Sequence, residues 1–177
     1  MFRADIDIKG KHAAYIKQLV DDYKIFALNL DVYMSSALIG YINGRKEDID
    51  ISEEFSDVVS KIGTQALLKK EIELDLIYRL IMLLDNTKNS TLEEQINRAF
   101  RADSHSSLKE LHKENMSVFN SYVRGGITVL YEELIRDSTV REDQFKNIHD
   151  FVKGLDDDFN LVVEELAERE LKSVLDA

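Results

Sequence analysis

Four histidines and several pairs of carboxylates are the side chains with which this chain could bind a metal ion or transfer protons. The histidines are His12, His105, His112 and His149. Helical di-iron sites require a glutamate three residues before a histidine, and no histidine here has that spacing. Glu110 and His112 are two residues apart, so a helix would turn them to different sides. The sequence therefore predicts neither a metal site nor a cofactor.

Covalent chemistry has no recognisable motif in the sequence. The chain contains no cysteine, no Gly-x-Ser-x-Gly sequence and no glycine-rich phosphate loop. Paired acids such as Glu132-Glu133 and Glu164-Glu165 occur where the sequence is otherwise polar, which favours surface charge over acid–base catalysis. We therefore expect a protein that is not an enzyme. An enzyme with an unrecognised helical active site stays open as an alternative.

A run of basic residues is the best candidate for a binding surface. It comprises Arg98, Arg101, His105, Lys109, His112 and Lys113, and Arg124 follows it. These residues fit contact with a nucleic acid or with an acidic partner. They also fit ion pairs within the molecule, to the acidic C-terminal region, and this second interpretation is the favoured one.

Two adjacent glycines, Gly125 and Gly126, interrupt a long amphipathic pattern. Each glycine within a helix costs about 1 kcal/mol relative to alanine, so their presence calls for a reason. Gly126 falls on the apolar side of the pattern, between Tyr122 and Leu130. The pair therefore predicts close approach of another helix rather than a ligand site.

Helices must position these residues, because the chain has no proline and its apolar residues recur at three- and four-residue spacing. The pattern predicts an all-α fold, a multi-helix bundle. Helices are expected over 11–23, 29–42, 52–62 (weakly) and 64–84, after the capping sequences at Thr91 and Ser107, and from about Val140 onward. Gly154 and Asp156–Asp158 are expected to divide the last of these into two helices.

A short β ribbon is expected beside the helices. Asp5–Ile8 alternates polar and apolar residues, and the same tetrad recurs at Asp48–Ile51. Because alternation is typical of half-buried strands, the two tetrads are predicted to pair as a two-stranded N-terminal ribbon.

Composition limits the domain organisation and the classes of partner. The 177 residues suit a single helical domain, 1–177, with an acidic C-terminal helical region at about 141–177. The formal net charge of −11 disfavours binding to phosphate backbones. The apolar run Leu74–Leu84 is short for a membrane span and includes Asp75 and Arg79, so no membrane partner is expected. The lack of cysteine and of a signal peptide is typical of a cytoplasmic protein.

Two segments resemble a known family. They are Ile25–Asp48, which contains D-V-Y-M-S-S-A-L-I-G-Y followed by a basic turn, and Phe119–Leu134, which contains F-N-S-Y-V-R-G-G-I. This combination resembles small proteins associated with bacterial DNA phosphorothioation loci. The likeness covers about a quarter of the chain, and the long acidic C-terminal helix departs from it. The resemblance implies a role near sulfur modification of DNA or phage defence, without catalytic residues.

These observations lead to one leading hypothesis and one alternative. The leading hypothesis is a non-catalytic accessory protein of a bacterial DNA-modification or phage-defence system that acts by protein–protein contacts. The alternative is a nucleic-acid-binding component that uses the basic Arg98–Lys113 surface. The Leu and Val stripes of the long helices fit pairing in a homo-oligomer as well as burial within one chain.

Overall fold

The computed structural model describes residues 2–85, 90–103, 108–138 and 140–175, without the side chains of 159 and 161–175. Within these residues the chain forms seven α-helices and two β-strands. They are β1 (Ile6–Lys9), α1 (Lys11–Lys17), α2 (Asn29–Ile42), β2 (Val59–Ile62), α3 (Thr64–Lys69), α4 (Glu71–Leu84), α5 (Leu92–Phe100), α6 (Lys109–Leu134) and α7 (Arg141–Leu175). The predicted helical fold with a short N-terminal ribbon is confirmed.

The ribbon has a different second strand from the one predicted. β1 pairs antiparallel with β2, with Ile6 opposite Ile62, so the predicted pairing with Asp48–Ile51 is wrong. The weak helix expected over 52–62 is also wrong, because only the 3-10 turn Glu53–Phe55 is helical there. In β2 the side chains alternate between exposed and buried, which is the pattern of a strand with one covered face.

Side-chain hydrogen bonds explain why the second tetrad is not a strand. The Asp50 carboxylate accepts the backbone N–H of Lys11 at 2.6 Å and that of Ser52 at 3.1 Å. Such local bonds compete with a strand ladder for the backbone. The apolar side chains of the tetrad gain little burial, since Ile51 is 93% exposed and Ile49 is 63% exposed.

Side chains cap the starts of α2 and α5, and the cap of α5 at Thr91 is the predicted one. The Asp31 carboxylate accepts the backbone N–H three residues earlier at 3.1 Å, at the start of α2. Gly44 follows the end of that helix with φ +59°, a left-handed conformation that glycine adopts without strain. At α5, Thr91 accepts the Glu94 N–H while the Glu94 carboxylate accepts the Thr91 N–H, a complete capping box. The predicted cap at Ser107 lies outside the described residues.

The last helix is continuous, so its predicted division is wrong. α7 runs from Arg141 to Leu175 through both Gly154 and the three aspartates. An exposed glycine costs a helix only about 1 kcal/mol, which is too little to end one of this length. Asp156 also accepts a hydrogen bond from the Asn160 amide at 3.4 Å, one turn further on.

The core beside the ribbon is aromatic. Phe2, Tyr33, Tyr78 and Phe119 are each at most 4% exposed, and their ring centroids lie 5.6 to 6.5 Å apart in tilted or edge-on pairs. They come from the N-terminal segment, α2, α4 and α6. Buried aromatic pairs of this kind contribute beyond their area burial, so these rings tie the three helices to the start of the chain.

The chain divides into two compact units, Met1–Tyr131 and Glu132–Ala177. The second consists mainly of α7. At its start the Val140 N–H donates to Asp143 at 3.2 Å, and the Asn147 amide donates to Ser138 at 3.1 Å. The single domain expected from chain length stays a prediction.

Candidate binding sites

The first predicted site residue, Arg98, lies in the interior. It is 7% exposed, and its Nη2 and Nη1 donate to the carboxylate and the carbonyl oxygen of Asp85, each at 3.0 Å. Its Nε donates to Asn115 Oδ1 at 3.1 Å, and the Asn115 amide donates back to the Arg98 carbonyl. Buried guanidinium groups need such partners. The contacts make Arg98 a structural residue rather than part of a surface.

The Asp85 carboxylate, at the end of α4, contacts two further donor groups. Its Oδ1 accepts the Tyr122 hydroxyl at 2.9 Å and lies 3.2 Å from Lys46 Nζ, which also sits 4.5 Å from the centroid of the Tyr122 ring. Burial, followed by the contact with Asp85, raises the pKa of Tyr122, so its hydroxyl stays protonated and donates. One aspartate thus joins α4, α5, α6 and the segment after α2.

The other members of the basic run that the structure describes are on the surface or half-buried. Arg101 donates to Asn97 at 2.9 Å, and Lys113 pairs with Glu110 at 2.8 Å one turn earlier on its own helix. Lys109 is exposed. These contacts are local to each helix, and exposed pairs of this kind contribute at most about 1 kcal/mol.

Of the two histidines in the run, the structure describes His112. His112 is half-buried, with its ring centroid 6.3 Å from that of Tyr78. His105 lies outside the described residues.

Arg98 and Arg101 line one cavity of about 430 Å³, together with Glu94 and Glu114. Its walls therefore carry both signs of charge, unlike a uniformly basic nucleic-acid groove.

The last predicted basic residue, Arg124, belongs to a different site. It is half-buried on α6, and its Nε donates to the Glu47 carbonyl at 2.8 Å. It lines a cavity of about 310 Å³ beside β1. The predicted set is therefore not one surface: Arg98 is internal, and Arg124 lines a cavity separate from that of Arg98 and Arg101.

The two predicted glycines lie where backbones meet. A β-carbon on Gly126 would overlap the Ser36 carbonyl of α2, and one on Gly125 would overlap the Arg45 carbonyl. Gly40 on α2 is the reciprocal residue, since a β-carbon there would overlap the Tyr122 carbonyl of α6. Sequence analysis missed Gly40, although a glycine among the apolar residues of a predicted helix was the available signal.

A half-buried glutamate, Glu47, is the centre of a polar network that sequence analysis also missed. Its Oε2 lies 2.9 Å from Lys11 Nζ and 3.0 Å from both His12 Nε2 and Thr128 Oγ1. Its Oε1 lies 3.0 Å from Arg45 Nε. No spacing in the sequence predicts this network, because its members come from α1, the segment after α2, and α6.

Burial and hydrogen bonding set the charges in this network. Burial alone would raise the pKa of Glu47, but the bonds from Lys11, His12 and Thr128 outweigh it and lower that pKa to about 2. Burial lowers the pKa of His12 despite the neighbouring carboxylate. At neutral pH a neutral imidazole therefore donates from Nε2 to an ionised Glu47. His12 is 0% exposed, so its imidazole is closed to a substrate.

The Glu47 network predicts loss of stability in acid. A carboxyl group whose pKa is lower in the folded state stabilises the fold above its unfolded value of about 4.3 and loses this as pH falls toward 2. A buried imidazole of lowered pKa acts in the same direction, starting below about pH 6.5. We expect Glu47→Gln to remove on the order of 3 kcal/mol from the free energy of unfolding at pH 7 and to flatten its decline between pH 5 and 2.

Urea unfolding at several pH values measures this effect. Glu110→Gln, which alters an exposed glutamate paired with Lys113 on its own helix, is the matched control and should follow the wild-type curve. An acid decline as steep in Glu47→Gln as in the wild type would contradict the assignment.

Exposed aliphatic side chains form a line along α4, which we call the α4 stripe. It consists of Ile72, Leu76, Leu80 and Leu84, spaced four residues apart, which are 83, 66, 43 and 48% exposed. The opposite face of the same helix is buried through Leu74, Tyr78, Ile81 and Met82. α4 is therefore apolar on two sides, and its core-facing side does not account for the stripe.

The described residues form neither a metal-binding cluster nor a membrane-spanning helix. No three His, Asp or Glu side chains there are grouped so that they could hold a metal ion. Likewise, none of the helices in the described part of the chain combines the length and the apolar character needed to cross a bilayer.

Comparison with known proteins adds no relative. No family model matches the chain, and neither does any curated protein or solved structure. The likeness to phosphorothioation-associated proteins therefore stays a prediction from the residues of Ile25–Asp48 and Phe119–Leu134, and the grounds for a function are the surfaces described above.

Proposed function

We propose that this protein is a non-catalytic accessory component of a bacterial DNA-modification or phage-defence system, and that it acts by protein–protein contacts. The α4 stripe is the observation that carries the proposal. The resemblance of Ile25–Asp48 and Phe119–Leu134 to phosphorothioation-associated proteins supplies the biological setting.

The α4 stripe has the size and spacing of a helix face that docks in a groove of another protein. Burying a Leu or Ile side chain completely is worth about 1.5 to 3 kcal/mol, and four of them can offset a large part of the about 4 to 15 kcal/mol cost of association. Apolar residues one turn apart are the anchors by which a helix occupies a groove in a partner. The stripe therefore favours a partner with an apolar groove.

Charge favours a different protein over a second copy of this one. The chain has a net charge of −11, and α4 itself contains three acids and one arginine. Two copies would repel each other, whereas a groove with a basic rim would attract α4. We therefore take the occupant of the α4 stripe to be a distinct protein with such a groove.

The buried polar groups support binding rather than catalysis. Arg98 is held by Asp85 and Asn115, and His12 by Glu47, and both side chains are buried. The nucleic-acid alternative has less support, because Arg98 is the start of its proposed surface and is 7% exposed. That alternative predicts binding to duplex or single strands that weakens steeply with salt.

Partner capture tests the proposal. Tagged wild-type protein should retain, from its native bacterium, a protein encoded in a DNA-modification or defence locus. We expect the double substitution Ile72→Lys, Leu76→Lys to reduce this capture at least tenfold, because two desolvated anchors are replaced by charges. Both side chains are largely exposed, so circular dichroism should be unchanged.

Ile51→Lys is the matched control, because Ile51 is 93% exposed and lies outside the α4 stripe. It should leave capture unaltered. Capture that survives the double substitution would exclude the stripe as the contact. A partner that is reproducibly retained but belongs to no such locus would overturn the assigned system.

A further inference from the structure

A cavity of about 310 Å³ beside β1 combines apolar walls with polar groups. Its lining includes all four residues of β1 together with Tyr33, Ile49, Asn120, Val123 and Arg124. The volume falls at the lower end of the range for small-ligand pockets, about 300 to 1,000 Å³. A small organic group fits such a space.

Arg124 and Lys9 are the cations that line this cavity, and Arg124 is the one held in place by a hydrogen bond. The bond from its Nε to the Glu47 carbonyl fixes one edge of the guanidinium. Among the residues that the structure describes, no acceptor bonds its two Nη groups. Although burial lowers the pKa of Arg124, a guanidinium stays charged at neutral pH. The side chain is thus oriented, with its outer pair of donors available.

Asn120 lies one turn before Arg124 on the same side of α6. Its Oδ1 accepts the Tyr33 hydroxyl at 2.9 Å, and this bond sets the orientation of the amide. The Nδ2 protons are then left for another acceptor, and none of the described protein atoms takes them. An amide and a guanidinium one turn apart can donate to a single bound group.

The free edge of β1 adds backbone groups to the cavity. Gly10 N–H donates to the Val58 carbonyl, and this register turns the backbone groups of Ile6 and Ile8 toward β2. The N–H and C=O of Asp7 and Lys9 therefore face the other edge. Within the described part of the chain, no backbone group bonds them there.

We propose that this cavity binds a carboxylate attached to a short apolar body, with Arg124 and Asn120 as the donors to its oxygens. A guanidinium presents parallel N–H groups that match a carboxylate. The isoleucine and valine side chains on the walls suit an apolar body. The lining carries two cations, Arg124 and Lys9, and one acid, Asp7; in a chain of net charge −11 this balance favours a monoanion over a phosphate dianion.

This site goes beyond the proposed function and does not depend on the α4 stripe. The carboxylate can come from a free aliphatic acid or from the C-terminus of a peptide with an apolar last residue. A peptide would in addition pair with the free edge of β1, as an added strand does in other peptide-binding domains.

Nuclear magnetic resonance titration of the full chain tests the site. The probes are hexanoate, acetyl-Val-Leu with a free C-terminus, the two corresponding amides, and inorganic phosphate. We expect at least one acid to give saturable shifts of the Arg124 Nε–H and the Asn120 amide, while the amides and phosphate do not. Stronger binding of the dipeptide acid would assign the site to chain ends, and stronger binding of hexanoate would assign it to free acids.

Two variants and one control make the test specific. Asn120→Asp keeps an oxygen to accept the Tyr33 hydroxyl but replaces the amide donors by a negative charge, so it should weaken binding at least tenfold. Arg124→Gln should do the same. Arg136→Gln removes an exposed arginine paired with Glu132 and should leave binding unchanged.

Three results would overturn the proposal. The first is that neither acid binds at millimolar concentration. The second is that amides or phosphate bind as well as the acids. The third is that Asn120→Asp, with a wild-type fold by circular dichroism, binds the acid with unaltered affinity.

Discussion

Replacing Gly126 by alanine should lower the free energy of unfolding by about 3 kcal/mol or more. The new β-carbon would overlap the Ser36 carbonyl and lie 2.8 Å from the backbone nitrogen of Gly40. Overpacked cores lose about 1 to 3 kcal/mol even when side chains can rotate away. Here the obstacle is backbone, so α2 and α6 would have to separate along their whole contact.

Urea unfolding followed by circular dichroism measures this loss, and Gly154→Ala is its control. Gly154 lies in α7, and the space that an alanine methyl group would occupy there is open to a distance of 4 Å. Alanine at this position should therefore raise stability by up to about 1 kcal/mol through helix propensity. If both substitutions had the same effect, the contact of α2 with α6 at Gly126 would not exist.

Replacing Arg98 by methionine should cost about 3 to 5 kcal/mol of folding free energy. The substitution keeps an apolar stem of similar length but leaves the Asp85 carboxylate, which is 2% exposed, without its guanidinium. Removing one partner of a buried ion pair has a cost in this range, because the other charge stays desolvated. Asn115 would lose a partner as well.

A second substitution and a control separate the ion pair from mere burial. In the double variant Asp85→Leu, Arg98→Met, the loss should be smaller than the sum of the two single losses by more than about 1 kcal/mol, because no buried charge is left alone. Arg101→Met, three residues further on at an exposed position, should change stability by no more than about 0.5 kcal/mol. Additive losses, or an equal loss for Arg101→Met, would contradict the assignment.

The glycines show which part of a helix–helix contact the sequence can predict. The glycine pair was predicted to mark a close helix approach because its cost in a helix is local and its phase could be counted from Tyr122 and Leu130. Gly40, on the other side of the same contact, also lies among the apolar residues of a predicted helix, but the sequence does not show that it meets Gly126. A pairing between α2 and α6 depends on residues more than 80 positions apart, and local pattern carries no information about which faces meet.

The contacts of the charged residues were likewise not predictable from the sequence. The run from Arg98 to Lys113 looked continuous because sequence neighbours were counted together. In the fold, Arg98 turns inward to Asp85, whereas Lys113 pairs at the surface with Glu110. The Glu47 network was missed because its members are ordinary charged residues that become a network only where three elements converge.

The local sequence pattern was therefore enough to predict the class of fold. Freedom from proline and apolar spacing predict the helices, and the caps at Asp31 and Thr91 mark where α2 and α5 begin, because these effects act within one turn of the chain. Competing local bonds at Asp50 and the pairing of β1 with Val59–Ile62 were decided by contacts across the structure. So were the burial of Arg98 and the exposure of the α4 stripe, since a helix with two apolar sides does not reveal by itself which side the core will cover.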